Sequence, residues 1–467
     1  MNPPDKTLWL PDSIYRAGQF QARLGIACDD AGQIVELSAA ATEPTNTIRL
    51  KNRAMLPGLV NAHSHAFQRV IRGRTEYRTR NEKDSFWTWR EMMYRVATRL
   101  TPEDIYHASR MAFLEMALSG ITAVGEFHYI HNQPDGTPYD DPNLLAKEVV
   151  RAARDVGLRI ALLRVAYARS GFQTEPNTQQ ARFIEADPDV YLDHLTRLRK
   201  DLAGLKGQAW VGVAPHSVRA APLNYLKEVV RFGNEQGLPI HMHVAEQPAE
   251  VSACIEEYGR SPVALLETEG LLSQRFTGVH MIHITPKAAR MIANARATVC
   301  ACPTTERNLG DGIVPIDKLF QEGVRVSLGT DSQIQIDLLE DARELEYHLR
   351  LQKIERVVLV GRVGEARSEL ASQLFECATI NGAQSIGAPN CGLEPGLSAD
   401  FFTVDLNDPS IAGASQDDLL SSIVFSLSKT AVRDVVVGNK RIVENGRHTD
   451  QDEIIERFRG LQKKLWS

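Results

Sequence analysis

Two histidines one residue apart, His63 and His65, close the apolar run in LVNAHSHAFQR, Leu59 to Arg69. Alternate side chains of a strand share a face, so the two imidazoles can hold one ion between them. Metal-binding and acid–base residue types recur at the ends of other short apolar runs: Glu126 to Tyr129, His216, His243 with Glu246, His280 with His283, and Asp331. Three histidines and an aspartate suit one borderline divalent ion and leave a position for water; zinc is expected, with iron or manganese as alternatives. PIHMHVAEQ holds a second HxH pair. His243 is taken as the ligand because it lies nearer the end of its run and three residues before Glu246, with His241 a neighbour on the same face. An HxH pair is weak by itself, and the coincidence of several run ends carries the weight. His107, His128, His131, His194, His348 and His448 lack that support and read as structural.

The elements that must position these residues follow from the same runs. LPGLVNAHSH, ITAVGEFHY, LRIALLRVA, WVGVAPHS, LPIHMHVAE, FTGVHMIH, ATVCACP and VRVSLGTDS are eight candidate strands, and most are separated by segments of helical period. Eight strand and helix units predict a (β/α)8 TIM barrel over residues 57–390, in which the strand ends meet at one face and build one pocket. In LTPEDIYHASRMAFLEMALSG, Thr101 reads as an N-cap, Pro102 as the first helical residue, Asp104 as the capping-box partner and Gly120 as the stop. The ends differ in pattern. Residues 1–56 and 391–446 carry short strands separated by turn residues, and neither has enough strands to bury a face alone, so together they predict one small discontinuous β-sandwich domain. Residues 447–467 read as a C-terminal helix packed back on the protein. The stretch from Gly171 to Asp189 is the least regular and is expected to be a loop over the site.

Composition narrows the function classes. The chain has 467 residues, 43% hydrophobic and 24% charged, and a formal charge of −6 from 53 Lys+Arg against 59 Asp+Glu. That balance offers no basic footprint for nucleic acid and no polybasic segment for a membrane surface. No apolar run approaches the ~20 residues of a bilayer span, and MNPPDKTLWLPDS lacks the order of a signal peptide, so the expected compartment is the cytoplasm. Six cysteines, at 28, 254, 300, 302, 377 and 391, make no disulfide framework in so long a chain. Cys300 and Cys302, inside ATVCACP, read as buried thiols.

LPGLVNAHSH, HMHVAE, the His of VHMIH, SLGTDS and the closing GLSADFFTVDL resemble the amidohydrolase superfamily, in the right order from Met55 to Gly396 and beyond. The resemblance implies one divalent metal, held by His63, His65, His243 and Asp331, with Glu246, His280 and Asp331 as the catalytic groups; the family pattern places the catalytic histidine at His280 rather than His283. HSHAFQR, DSFWTWREMMYR, EFHYIH, HSVR and NLGDGI look like the branch that hydrolyses the formimino group of N-formimino-L-glutamate to formyl with release of ammonia, in histidine degradation. By that likeness Gln68, Arg90, Tyr129, His216 and Arg219 form the substrate pocket, and a homodimer is expected. Gln333 departs from the pattern, standing where His would follow the Asp and Ser, and Pro286 follows a shortened stretch after His283. Charge chemistry supports the same small-molecule substrate independently: a dicarboxylate needs two cationic anchors, and the guanidinium forks of Arg90 and Arg219 would supply them. The competing expectation is a deaminase of a purine or other aromatic amine, such as guanine, which shares the metal set and differs in the pocket.

Overall fold

The computed structural model describes residues 6–39, 46–78, 86–175, 177–360, 369–388 and 391–467. Met1 to Asp5, Asp84 and Ser85 of DSFWTWRE, and the expected boundary at residue 390 lie outside them. All eight expected strands form, as a parallel sheet in chain order: Leu59–Ser64, Ile121–His128, Arg159–Ala166, Ala209–Pro215, Ile240–Val244, Phe276–His280, Thr298–Ala301 and Arg325–Leu328. Most of their residues are buried on both faces, as a sheet enclosed by helices requires.

Just beyond the ends of the first and eighth strands, the barrel closes at the site itself. The His65 amide donates to the Asp331 carbonyl and the Asp331 amide to the His63 carbonyl, each at 3.0 Å. Asn61 adds a side-chain clamp, donating from Nδ2 to Thr330 Oγ1 at 2.7 Å and accepting at Oδ1 from the Thr330 amide. Gly329 permits this approach, because a Cβ there would meet the His63 carbonyl oxygen at 2.8 Å and its Cβ at 2.7 Å. Gly329→Ala is therefore expected to part the seam, costing about 1–3 kcal/mol as an overpacking change and lowering bound metal. Thermal unfolding together with metal analysis checks this; a variant as stable and as metal-replete as the parent would refute it.

The helix Pro102–Leu118 starts as its sequence dictates, with a capping box between Thr101 and Asp104 and Pro102 in the first turn; it ends at Ser119, with Gly120 beyond in the left-handed region. The C-terminal helix Gln451–Trp466 lies on it. Ile454, Phe458, Leu461 and Leu465 are buried, Arg110 pairs with Glu453 at 2.7 Å, and Lys464 pairs with Asp104 at 2.6 Å. The terminal segments form one mixed sheet of nine strands in which Phe401–Asp405, from the C-terminal part, pairs with Asn46–Pro57, from the N-terminal part. Alternation along Phe401–Asp405 divides its side chains: Phe401 joins Trp9, Ile26 and Met55 in the small sheet's core, while Phe402 and Val404 join the barrel's core.

The segment from Gly171 to Asp189 is more ordered than its composition suggests. Thr178–Phe183 is a 3₁₀ turn, and Gln180, Arg182 and Phe183 are buried. Gln180 donates to the Tyr94 hydroxyl at 3.0 Å and Arg182 Nε to the Asn132 carbonyl at 2.8 Å, so the segment buttresses the cavity wall from behind. The six cysteines are free, and Cys300 and Cys302 are fully buried. Among the described residues no helix is long and apolar enough to cross a membrane.

Candidate metal and active site

His63 and His65 lie at the end of the first strand, His243 on the fifth, and Asp331 just after the eighth; one ligand atom from each lies within 4.8 Å of the others. His63 Nε2 is 3.2 Å from His65 Nε2, and Asp331 Oδ1 is 3.5 Å and 3.2 Å from the two. His65 Nδ1 donates to the Phe127 carbonyl at 2.9 Å and His243 Nδ1 to the His216 carbonyl at 3.1 Å, which leaves their Nε2 lone pairs facing inward. Lone pairs and a carboxylate converging in a buried space repel one another unless a cation sits among them. Burial lowers His63 to about 3 and holds His243 well below the usual imidazole range, so both are neutral, the form that ligates. The donor set fits one divalent ion.

His280 ends the sixth strand with φ 71°, and Asp331 has φ 46°. Such left-handed backbone in non-glycine residues is strained, and here it occurs where side chains converge on the cluster. His280 Nδ1 lies 3.2 Å from Glu306 Oε1, while its Nε2 is 3.7 Å from Glu246 Oε1 and 3.8 Å from Asp331 Oδ2 with no hydrogen-bond partner of its own. Burial opposes charge on that imidazole, yet Glu246, Glu306 and Asp331 together raise it well above its usual range. Burial also raises the Glu246 carboxyl, as suits a group that must carry a proton.

The cavity over this cluster is lined by His65, Arg90, Tyr129, His216, Arg219, His243, Glu246, His280 and Asp331, together with Phe86, Trp89, Met93, Tyr94, Tyr167 and Leu309. Arg90, on the helix Phe86–Ala97, and Arg219, after the fourth strand, both face the Trp87 ring, at 4.4 Å and 5.8 Å from its centroid. Buried N–H groups on both lack acceptors among the described residues: Nη1 of Arg90, and Nε and Nη1 of Arg219. The carboxylate nearest Arg219 is Glu250, at 4.0 Å, and burial pushes that carboxyl up to about 7. The space in this cleft, about 40 Å³, holds only a few waters.

Four further positions singled out by the sequence are not among the residues that line the cavity. Gln68 is buried beside the cavity wall: its Nε2 donates to the Tyr129 hydroxyl at 2.9 Å, and its Oε1 has no hydrogen-bond partner among the described residues. Gln333 is fully buried below the seam; its Nε2 donates to Ser64 Oγ at 2.8 Å and to the Asp331 carbonyl at 3.0 Å, which supports the metal-side turn rather than shaping the pocket. His283 donates to the Asp311 carbonyl at 3.0 Å and does not line the cavity, and His241 is held by the Ser385 carbonyl at 2.9 Å. Sequence reasoning missed Glu306, Tyr94 and Tyr167. Tyr94 could have been found four residues after Arg90 on one helix face, and Tyr167 just past the end of the third strand; Glu306 carries no local signal.

The amidohydrolase family model matches residues 54–447. The chain belongs to the amidohydrolase family. Among curated proteins, the formimidoylglutamate deiminase of Pseudomonas aeruginosa is 38% identical over 87% of this chain and 88% of its own length. A 5-methylthioadenosine/S-adenosylhomocysteine deaminase of Syntrophomonas wolfei is 28% identical over 89% of this chain and 88% of its own. Among solved structures, an amidohydrolase from Brucella melitensis aligns with a TM-score of 0.91 and 33% identity, covering 99% of this chain and all of that one. This amidohydrolase is thus a hydrolase of carbon–nitrogen bonds of the deaminase kind, in a metal-dependent family.

Proposed function

We propose that this amidohydrolase is a formimidoylglutamate deiminase: it hydrolyses N-formimino-L-glutamate to N-formyl-L-glutamate and ammonia. The observation that carries the reading is the pair of guanidinium groups, half-buried Arg90 and buried Arg219, whose inner N–H groups have no acceptor among the described residues and which face one cavity with the metal-binding cluster. A buried N–H without an acceptor is costly, and the two carboxylates of a glutamate derivative would satisfy both forks. The 38% identical relative supports the same substrate.

His63, His65, His243 and Asp331 would hold the metal, and zinc fits their nitrogen and oxygen donors. A bound ion would acidify water to a pKa of ~7 and would polarise the reacting carbon–nitrogen double bond. Asp331 Oδ2 takes the proton that the attacking water loses, with His280 Nε2, 3.8 Å away, orienting that water. Glu246 Oε1 passes a proton to the formimino nitrogen, because the tetrahedral adduct expels ammonia only when that nitrogen is protonated. Tyr129 and His216 wall the reacting carbon, and Gln68 fixes the Tyr129 hydroxyl.

A second reading, a purine deaminase, draws on the rings of Phe86, Trp89, Tyr94 and Tyr167 around the cavity, which could stack on a base. It leaves the open N–H groups of Arg90 and Arg219 without partners. Ammonia release from formiminoglutamate, guanine and 5-methylthioadenosine, assayed side by side, decides between the two. Chelation should abolish the activity and zinc restore it; turnover that survives complete metal removal would sink the metal assignment. Arg219→Met should raise KM for formiminoglutamate about 10- to 100-fold, since a hydrogen bond to a charged group contributes about 1.5–3 kcal/mol, with a smaller change in kcat. Unaltered KM would remove Arg219 as a carboxylate anchor.

A further inference from the structure

At the opposite mouth of the barrel lies a much larger cavity, about 870 Å³, between the N-terminal ends of the fourth to eighth strands and the end of the helix Ile380–Ile386. Its wall carries five cations, Arg199, Lys206, Arg275, Arg296 and Arg325, and no carboxylate. In a chain of net charge −6 this is a local excess that composition does not explain. Their recorded partners are neutral: Arg199 Nη1 donates to Gln236 Oε1 at 2.7 Å, Arg275 Nη1 to the Gly237 carbonyl at 2.9 Å and Arg325 Nη1 to Thr298 Oγ1 at 3.5 Å. Among the described residues none of the five pairs with an acid, whereas Arg197, on the same helix as Arg199, pairs with Asp193 at 2.7 Å.

Part of this charge answers the helices that end here, Pro188–Leu202, Leu223–Glu235, Pro286–Asn294 and Ile380–Ile386. Each helix C-terminus carries about half a negative charge, so four ends offset less than half of five full positive charges. The remainder are like charges gathered in a concave basin, an arrangement that an anion with several charges would relieve. Trp210 adds an apolar wall: its Nε1 donates to the Ile386 carbonyl at 2.7 Å, which fixes the half-buried ring at the cavity's edge. Guanidinium forks match phosphoryl oxygens bidentately, and a held indole face suits a planar base.

We propose that this basin is a second ligand site, distinct from the metal cluster, for a nucleotide-sized polyanion bearing two or more phosphoryl groups. The test is calorimetric titration of the metal-loaded enzyme with pyrophosphate and, separately, with ATP at low ionic strength. One saturable site is expected, weakened by added salt. Lys206 and Arg296 are exposed, so a Lys206→Ser, Arg296→Ser double variant should fold normally and keep its ammonia release while losing affinity about tenfold or more. ATP binding more tightly than pyrophosphate, with the advantage lost in Trp210→Phe, assigns the ring to a base; equal affinities assign the basin to phosphoryl groups alone, and either supports the site. Absence of binding by both probes, or a double variant that binds as the parent does, overturns it.

Discussion

Glu246→Gln is expected to keep its metal and its fold and to lose turnover by ~10² to 10⁴, the range ascribed to a general acid–base group. The carboxyl is buried, and burial raises it above the usual carboxylate range, the direction that favours passing a proton to nitrogen. Glutamine preserves volume and hydrogen bonding but cannot transfer a proton. Glu246 belongs to none of the close donor sets that could hold an ion, so metal content should match the parent. A deficit in kcat with unchanged metal is thus specific to proton transfer, whereas loss of metal alongside activity would point to Glu246 as a support of the cluster. A variant with near-parental kcat would remove it from the mechanism.

The largest expected effect on stability lies away from the chemistry, at Glu185→Ala. Arg164, on the third strand, is fully buried; Glu185 accepts from it at both carboxylate oxygens, at 2.5 and 2.9 Å, and is 2.6 Å from His194 Nδ1. Removing the carboxylate strands a buried guanidinium whose remaining side-chain partner is Asn143, and breaking such a pair costs about 3–5 kcal/mol. Burial pushes the Glu185 carboxyl up, but the hydrogen bonds and charge of Arg164 outweigh it and hold the group below the usual carboxylate range. A carboxyl depressed in the folded state contributes stability that is fully present above its unfolded pKa of ~4.3 and is lost as pH falls below it. The parent should therefore lose part of its stability on acidification below about pH 4, and Glu185→Ala should lack that component. Urea midpoints across pH measure both. The paired change Arg164→Met with Glu185→Leu should recover most of the loss, because it removes the stranded charge as well as its partner. A single variant as stable as the parent would contradict the account.

Local pattern determined a good deal of this protein. Eight apolar runs with polar strand ends were enough to order the barrel strands and to bring His63, His65, His243, Glu246, His280 and Asp331 to one mouth, because strand periodicity and the barrel's geometry are both short-range rules applied repeatedly. The capping box at Thr101 was legible for the same reason: its partners lie three residues apart. Other features depended on distances that no spacing encodes. That Gln68 bonds the Tyr129 hydroxyl, that Gln333 braces the seam, and that Glu306 holds His280 are outcomes of how separate strand ends pack. The convergence of Arg90 and Arg219 on Trp87 depends on how a helix after the first strand settles over a loop after the fourth. Residue types and run ends settled which groups could do chemistry; tertiary packing alone decided which of them touch the cavity and which support it from behind, because that choice is made by side-chain contacts between elements far apart in the chain.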